Sequence, residues 1–155
     1  MVKFGVGILS QGSKQFNEIA SRVEEWGYDQ IWVPDQRFCR DVYVTLASCA
    51  LNTKRIKLGT AVTDPYIRFP MLTAVAIATI DELSDGRSVL GIGAGKSGFE
   101  ALGVEVKRPA VAIREAIEVI RKLIAGETVT YDGETIKLKN ASLNFKPIRN
   151  RIPIY

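Results

Sequence analysis

Short apolar runs alternate with longer amphipathic stretches along most of the chain, a pattern typical of repeated strand-then-helix units. Runs suited to buried strands lie at residues 2–9, 30–33, 56–62 and 88–93. Apolar residues at helical spacing follow each run, and the last and longest such stretch covers residues 109–124. Four such units in succession require a parallel sheet with right-handed crossovers.

Single residues mark several predicted helix boundaries. Gly27 supplies a left-handed stop for the first helix, Asp41 can cap the second, and Pro70 can open the third. The inward face of the third helix is predicted to consist of Leu72, Val75, Ala76, Thr79, Ile80 and Leu83.

The pattern changes after the fourth helix. Asp132 and Gly133 separate two strand-like runs, residues 128–131 and 134–138, and predict a tight β-hairpin. Residues 151–155 resemble the opening of a fifth core strand. The predicted fold is therefore α/β of the (β/α)8 TIM-barrel type. It is a partial barrel of about four units, forming a single domain over residues 1–155 that is the amino-terminal half of the barrel.

Composition excludes several classes of protein and of chemistry. The 155 residues are 46% hydrophobic, no apolar run reaches membrane-spanning length, and the first residues lack a signal-peptide pattern, so a soluble cytoplasmic protein is expected. The formal charge of +4 is spread along the chain and argues against nucleic acid as a partner. The chain has no histidine, and Cys39 and Cys49 lack metal-type spacing, which excludes a zinc site and a histidine base.

Three predicted strands end in polar or glycine-rich sequence: PDQR after the second, TDP after the third and AGKSG after the fourth. The carboxyl ends of parallel strands meet at one edge of the sheet, where α/β proteins place their ligands. Trp26 and Trp32 are expected to be packing residues rather than stacking platforms.

The loop of residues 93–98, GAGKSG, satisfies the pattern G-x-G-x-x-G, and AGKS within it copies the tail of a P-loop. Both matches are partial, because Leu90 stands where a P-loop needs glycine and the acidic residue of a dinucleotide fold would fall in a helix. The glycines predict a tight turn with exposed N–H groups. With Lys96 and Ser97 nearby, the turn suits an anionic or carbonyl-rich cofactor.

Several segments in register, among them GYDQIWVPDQ, LGTAVTDPYIRFP, TIDELSDGRSVLGIGAGK and the hairpin region, resemble the bacterial luciferase-like monooxygenase superfamily. The similarity is greatest to its F420-dependent branch, the methylenetetrahydromethanopterin reductase-like proteins. The resemblance implies an oxidoreductase that transfers a hydride between F420 and a small organic substrate. An FMN-dependent monooxygenase is the alternative that the resemblance also allows.

The resemblance also implies a set of site residues. A non-prolyl cis peptide between Ala61 and Val62 would back the cofactor ring, and Thr63 would contact the ring or its tail. Asp35 would bond near the ring and is the candidate catalytic residue. The glycine-rich loop that would run along the cofactor comprises Gly93, Ala94, Gly95, Lys96 and Ser97.

Two departures from the family pattern leave the substrate open. Gly7 stands where the methanopterin reductase has a glutamate in its first strand, and Gln36 stands where a histidine often follows the aspartate. Asp35 has a plainer interpretation as a turn or cap residue. A non-catalytic half-barrel that self-associates is a further hypothesis, and the expected partners are a homo-oligomer or a separate carboxyl-terminal half.

Overall fold

The structure is a computed structural model that describes residues 2–9, 12–95 and 98–155. Strands and helices alternate as far as residue 124, and a hairpin follows. The strands are β1 (Gly5–Gly7), β2 (Gln30–Val33), β3 (Lys57–Thr60), β4 (Ser88–Val89), β5 (Val129–Asp132) and β6 (Lys137–Ala141). The helices are α1 (Ser13–Glu25), α2 (Val42–Asn52), α3 (Pro70–Leu83), a short 3-10 turn (Glu100–Leu102) and α4 (Pro109–Ile124).

The main sheet has the strand order β1-β2-β3-β4, and every neighbouring pair is parallel. The segment of residues 152–155 continues it, because Leu90 N donates to Pro153 O at 2.9 Å and Tyr155 N donates to Leu90 O at 2.9 Å. The predicted α/β class, the parallel order and the fifth strand are confirmed. Sequential order is what a (β/α)8 barrel requires of consecutive strands.

The hydrophobic core lies between the outer face of this sheet and the helices. Alternate strand residues point toward the helices, as the two-residue period of a strand demands. The buried residues of this core include Ile31, Val33, Leu58 and Leu90 from the strands and Phe16, Leu46, Ile77 and Ile120 from the helices. Asp41, Pro70 and Gly27 stand at the helix ends for which they were predicted.

The first strand is shorter and more exposed than predicted. The pattern predicts a buried strand over residues 2–9, whereas β1 covers Gly5–Gly7 and the side chains of Val2, Phe4 and Leu9 are more than half exposed. Within the part of the chain that the structure describes, β1 pairs only with β2, so it forms an edge of the sheet. Apolar composition predicts a strand here but cannot tell an edge from the interior.

The predicted inward face of α3 is wrong. Leu72 is 58% exposed, while Thr73, Ala74 and Ile77 are buried. Of the six residues predicted for the face, only Ile80 is fully buried. α3 is apolar on nearly every side, so its sequence pattern does not indicate which face is buried. Packing against α2 and α4 determines the buried face instead.

The predicted two-residue turn of the hairpin is also wrong. Residues 133–136 connect β5 and β6, and Gly133 N donates to Ile136 O at 2.9 Å. The buried carboxylate of Glu115 accepts hydrogen bonds from Glu134 N at 2.8 Å and Thr135 N at 2.9 Å. It also accepts one from Ile136 N at 3.0 Å. A contact from α4 therefore shapes the turn, and the Asp-Gly signal cannot report it.

Arg87 ties the amino-terminal ends of β3 and β4 to the end of α2. Its guanidinium donates to the carbonyl oxygens of Ala50, Thr53, Ile56 and Ser84 and to the Thr53 hydroxyl, at 2.7 to 3.0 Å. One side chain thus satisfies backbone carbonyls that the helix end and the loop leave unpaired.

Two carboxylates make stability depend on pH. Burial raises the pKa of Glu115, but hydrogen bonds from the Thr135 hydroxyl and the amides of Thr135 and Ile136 outweigh it and hold the pKa below the usual value. Burial likewise raises the pKa of Glu24, but hydrogen bonds from the amides of Ile56, Arg55 and Lys54 outweigh it, so the pKa lies below its usual value. A carboxylate whose pKa is lower in the folded state than in the unfolded state stabilises the fold. Its contribution to the free energy of unfolding is fully present above the unfolded-state pKa and is lost as the pH falls through the folded-state pKa.

We therefore expect the free energy of unfolding in urea to decrease as the pH falls below the ordinary pKa of glutamate. Glu115→Gln should make this dependence shallower, since it removes one of the carboxylates whose pKa is lowered in the folded state. The exposed Glu18→Gln on α1 is the matched control and should leave the slope unchanged. An unaltered slope in Glu115→Gln would contradict the assignment.

Candidate functional site

The predicted site residues that the structure describes lie together at the carboxyl ends of β2, β3 and β4. Thr63 is central, since its hydroxyl donates to Asp35 Oδ2 at 2.8 Å and its carbonyl accepts from Gly93 N at 2.9 Å. Thr63 N donates to Gly91 O at 3.0 Å. We call Asp35, residues 61–63 and residues 93–95 the strand-end site. Lys96 and Ser97 fall outside the described residues.

The Ala61–Val62 peptide bond is cis, as the resemblance implied. Ala61 is exposed and Val62 is 41% exposed, while Ala61 N is held by Val33 O at 2.8 Å. A Cβ added to Gly93 would lie 2.9 Å from Val62 Cγ2, so the Val62 side chain packs directly on the Gly93 backbone. The result is an exposed shelf of small side chains and backbone atoms, which suits the face of a planar ring.

Asp35 lies beside this shelf in a network that sequence reasoning did not assign. Its side chain is 12% exposed, and Arg68 Nε and Nη2 donate to its two oxygens at 2.6 and 3.2 Å. Arg68 Nη2 also donates to Asp41 Oδ2 at 2.6 Å. Asp41 in turn caps α2 through the amides of Tyr43 and Val44. Arg68 thus joins the loop after β2, the start of α2 and the loop after β3.

The charges in this network reinforce one another. Burial raises the pKa of Asp41, but the Val44 amide, Arg68 and the Tyr43 amide outweigh it, so the pKa lies below its usual value. Burial lowers the pKa of Arg68, yet its bonds to Asp35 and Asp41 raise it on balance. Arg68 therefore remains charged near pH 7, and its two hydrogen bonds fix the orientation of the Asp35 carboxylate.

Tyr43 forms the apolar base of the network. The guanidinium of Arg68 lies 5.0 Å from the centroid of its ring, within cation–π range. The Tyr43 hydroxyl is buried, and among the described residues it has no hydrogen-bond partner of good geometry. Burial raises the pKa of Tyr43 to about 12, so this phenol stays neutral and cannot act as a base near pH 7.

A second ion pair supports the glycine-rich loop. Arg37 and Asp64 form a salt bridge in which the side chains are 9% and 1% exposed. Asp64 Oδ1 also accepts from Tyr66 N at 2.9 Å, and Arg37 lies 4.5 Å from the centroid of the Phe99 ring. Gly95 has a φ of +63°, and a Cβ there would approach both Arg37 and Phe99 to 3.0 Å. The loop therefore lies directly on the pair and requires glycine at position 95.

The described residues contain no cluster of three or more histidine, cysteine, aspartate or glutamate side chains that could hold a metal ion. Within the same ranges, no helix has the length and apolarity needed to cross a membrane. The site presents one oriented carboxylate, one hydroxyl and the exposed shelf at Ala61 and Val62. Such a set can bind and orient a planar cofactor, while the redox step itself belongs to the cofactor.

Comparison with known proteins adds independent evidence. A family model described as luciferase-like monooxygenase matches residues 2–155. The chain is 50% identical over 133 residues to the 5,10-methylenetetrahydromethanopterin reductase of Archaeoglobus fulgidus, covering 85% of this chain and 40% of that protein. It is 32% identical over 171 residues to the enzyme of the same name from Methanopyrus kandleri, covering 99% of this chain and 49% of that protein.

Solved structures agree with these sequence relatives. The F420-dependent tetrahydromethanopterin reductase from Methanopyrus kandleri superposes with a TM-score of 0.93 at 31% identity, covering 99% of this chain and 49% of that one. An F420-dependent secondary alcohol dehydrogenase bound to an F420-acetone adduct has a TM-score of 0.80 at 25% identity, with 99% and 52% covered. The partial (β/α)8 barrel is thereby confirmed, and the chain spans about half the length of the relatives it matches.

Proposed function

Because the chain belongs to the luciferase-like monooxygenase family, we propose that it forms the amino-terminal half of an F420-dependent oxidoreductase site. The observation that carries the proposal is the Asp35–Thr63 hydrogen bond beside the exposed shelf at Ala61 and Val62. Relatives that are 50% and 34% identical are named methylenetetrahydromethanopterin reductase and F420-dependent glucose-6-phosphate dehydrogenase. The proposed reaction is hydride transfer between F420 and a small organic substrate.

When bound, F420 supplies the hydride chemistry, and the residues of this chain supply position. The shelf at Ala61 and Val62 offers a flat surface for one face of the ring. Asp35 offers a hydrogen-bond acceptor whose direction Arg68 fixes, and Thr63 holds the carboxylate beside the shelf. Gly93 and Gly95 leave the loop backbone open to close approach. Positioning of this kind lowers the entropy cost of reaching a reactive geometry.

The test is a titration of the 155-residue chain with F420 and, separately, with FMN, followed by cofactor fluorescence and calorimetry. Saturable F420 binding supports the proposal, and saturable binding of FMN alone supports the FMN-dependent alternative. If neither binds while the chain self-associates, the chain is a non-catalytic half-barrel. Methylenetetrahydromethanopterin is the first substrate to assay with F420, since it appears in the names of two relatives described above.

The proposal includes self-association through the outer face of α2 and α3. Val44 and Leu51 on α2 are 70% and 71% exposed, and Leu72 and Leu83 on α3 are 58% and 41% exposed. α2 contains no charged residue, so its apolar face fits a copy of itself better than a charged partner. A second copy of the chain is therefore the proposed occupant of this face.

Replacing both Val44 and Leu51 with lysine should convert an oligomer into a monomer, because like charges would meet in an apolar interface. Sedimentation or light scattering measures the mass. Leu102→Lys, which changes an equally apolar exposed residue away from α2 and α3, is the control and should leave the mass unchanged. An oligomer that survives the double substitution would place the interface elsewhere, for example at the exposed edge of β1.

A further inference from the structure

Trp32 packs on the inner face of the main sheet, away from the helices. Ile31 and Val33 on β2 are buried toward the helices, whereas Trp32, between them, is only partly buried and lies on the opposite, inner face of the sheet. Trp26, the other tryptophan, is 70% exposed at the end of α1. The expectation of a packing role is therefore wrong for Trp26, whereas Trp32 does pack, on the inner face of β2.

The indole of Trp32 lies across the neighbouring strands, and each has a glycine beneath it. A Cβ added to Gly5 on β1 would lie 2.8 Å from Trp32 Nε1, and one added to Gly59 on β3 would lie 2.5 Å from Cζ3. A Cβ at Gly91, beyond β4, would lie 3.4 Å from Cζ3. Any larger residue at Gly5 or Gly59 would collide with the ring, so these glycines leave room for a flat indole.

Contacts at both ends fix the orientation of the ring. Trp32 Nε1 donates to Gln30 Oε1 at 3.1 Å. The ring of Tyr155 meets the indole edge-on, with centroids 6.0 Å apart and planes at 81°. An aromatic ring held in this way loses little further freedom when a second planar group contacts it.

The indole also lies directly below the strand-end site. Gly59 and Gly91 each stand two residues before the site residues Ala61 and Gly93, which is about 7 Å along a strand at 3.3 Å per residue. Inward side chains in successive layers normally fill the interior of a (β/α)8 barrel. Here Gly5 on β1 and Gly59 on β3 take their place, and one indole forms the layer beneath the shelf.

We propose that Trp32 is the floor of the strand-end site, an aromatic platform that limits how deeply a planar cofactor ring enters and that positions the ring against the Ala61–Val62 shelf. This inference rests on the proposed cofactor binding. Trp32 acts here as a positioning residue. It takes no part in proton or hydride transfer.

The experiment compares Trp32→Leu and Trp32→Phe in the 155-residue chain by calorimetry with F420. We expect Trp32→Leu to weaken binding about tenfold and Trp32→Phe to stay within about threefold of the parent, because phenylalanine keeps an aromatic surface. The absorption band of bound F420 should shift in Trp32→Leu and not in Trp32→Phe. Loss of thermal stability in Trp32→Leu with unchanged affinity and spectrum would overturn the inference and leave a packing role.

A second measurement holds even if Trp32→Leu does not fold. In Trp26→Phe, which changes only an exposed residue, all tryptophan emission comes from Trp32, and saturating F420 should quench most of it. Saturable binding by calorimetry without such quenching overturns the inference while the proposed function stands. No binding at all by the parent chain removes the proposed function, and this inference falls with it.

Discussion

Replacing Asp64 with alanine should lower the free energy of unfolding by about 3 to 5 kcal/mol, because the charge of Arg37 would be left buried without its partner. Arg37 and Asp64 are 9% and 1% exposed, so water cannot replace the lost carboxylate without a change in structure. The amides of Tyr66 and Ile67 would also lose their common acceptor. Urea denaturation of the variant and the parent measures the difference.

Two further variants separate charge from shape in this prediction. Arg37→Met combined with Asp64→Leu removes both charges and should recover much of the loss, since a buried pair is often replaceable by apolar groups. Asp132→Ala removes the carboxylate of an exposed pair with Lys137 and should cost less than about 1 kcal/mol. If Asp64→Ala lowers the free energy of unfolding no more than Asp132→Ala does, the buried pair of Arg37 and Asp64 does not support the glycine-rich loop.

The elements that local sequence determines were predicted well. α4 has the predicted bounds, Pro109–Ile124, because its first residue suits a helix start and its apolar residues recur at helical spacing. Asp41 caps α2 through a side chain two and three residues from the amides it binds, which is a local event. The grouping of Asp35, Thr63 and Gly93 followed from the rule that parallel strands end at one edge.

The features that sequence reasoning missed depend on residues far apart in the chain. Arg68 lies 33 residues from Asp35, and Arg37 meets Asp64 only because the loops after β2 and β3 are neighbours. No periodicity encodes such pairs. The one available signal for Trp32 was its alternation with Ile31 and Val33, which places it on the inner face of β2 once the strand is assigned.

Asp35→Ala should weaken F420 binding by about 10- to 100-fold, the range expected for the loss of a charge-assisted hydrogen bond. The variant should fold, because Arg68 keeps its bond to Asp41 and its contact with the Tyr43 ring. The free energy of unfolding should therefore change by only about 1 kcal/mol. Calorimetry with F420 and urea denaturation on the same preparation separate the two effects.

Arg68→Met gives the matched comparison, since it leaves the carboxylate of Asp35 in place and removes the group that fixes its direction. If Asp35 bonds directly to the cofactor, Arg68→Met should weaken binding less than Asp35→Ala, because a misoriented acceptor still binds part of the time. Equal losses would mean that Asp35 acts through the arginine and the loop it holds. Unchanged affinity in both variants would return Asp35 to the role of a turn residue, and the cofactor would then depend on the shelf and the glycine-rich loop alone.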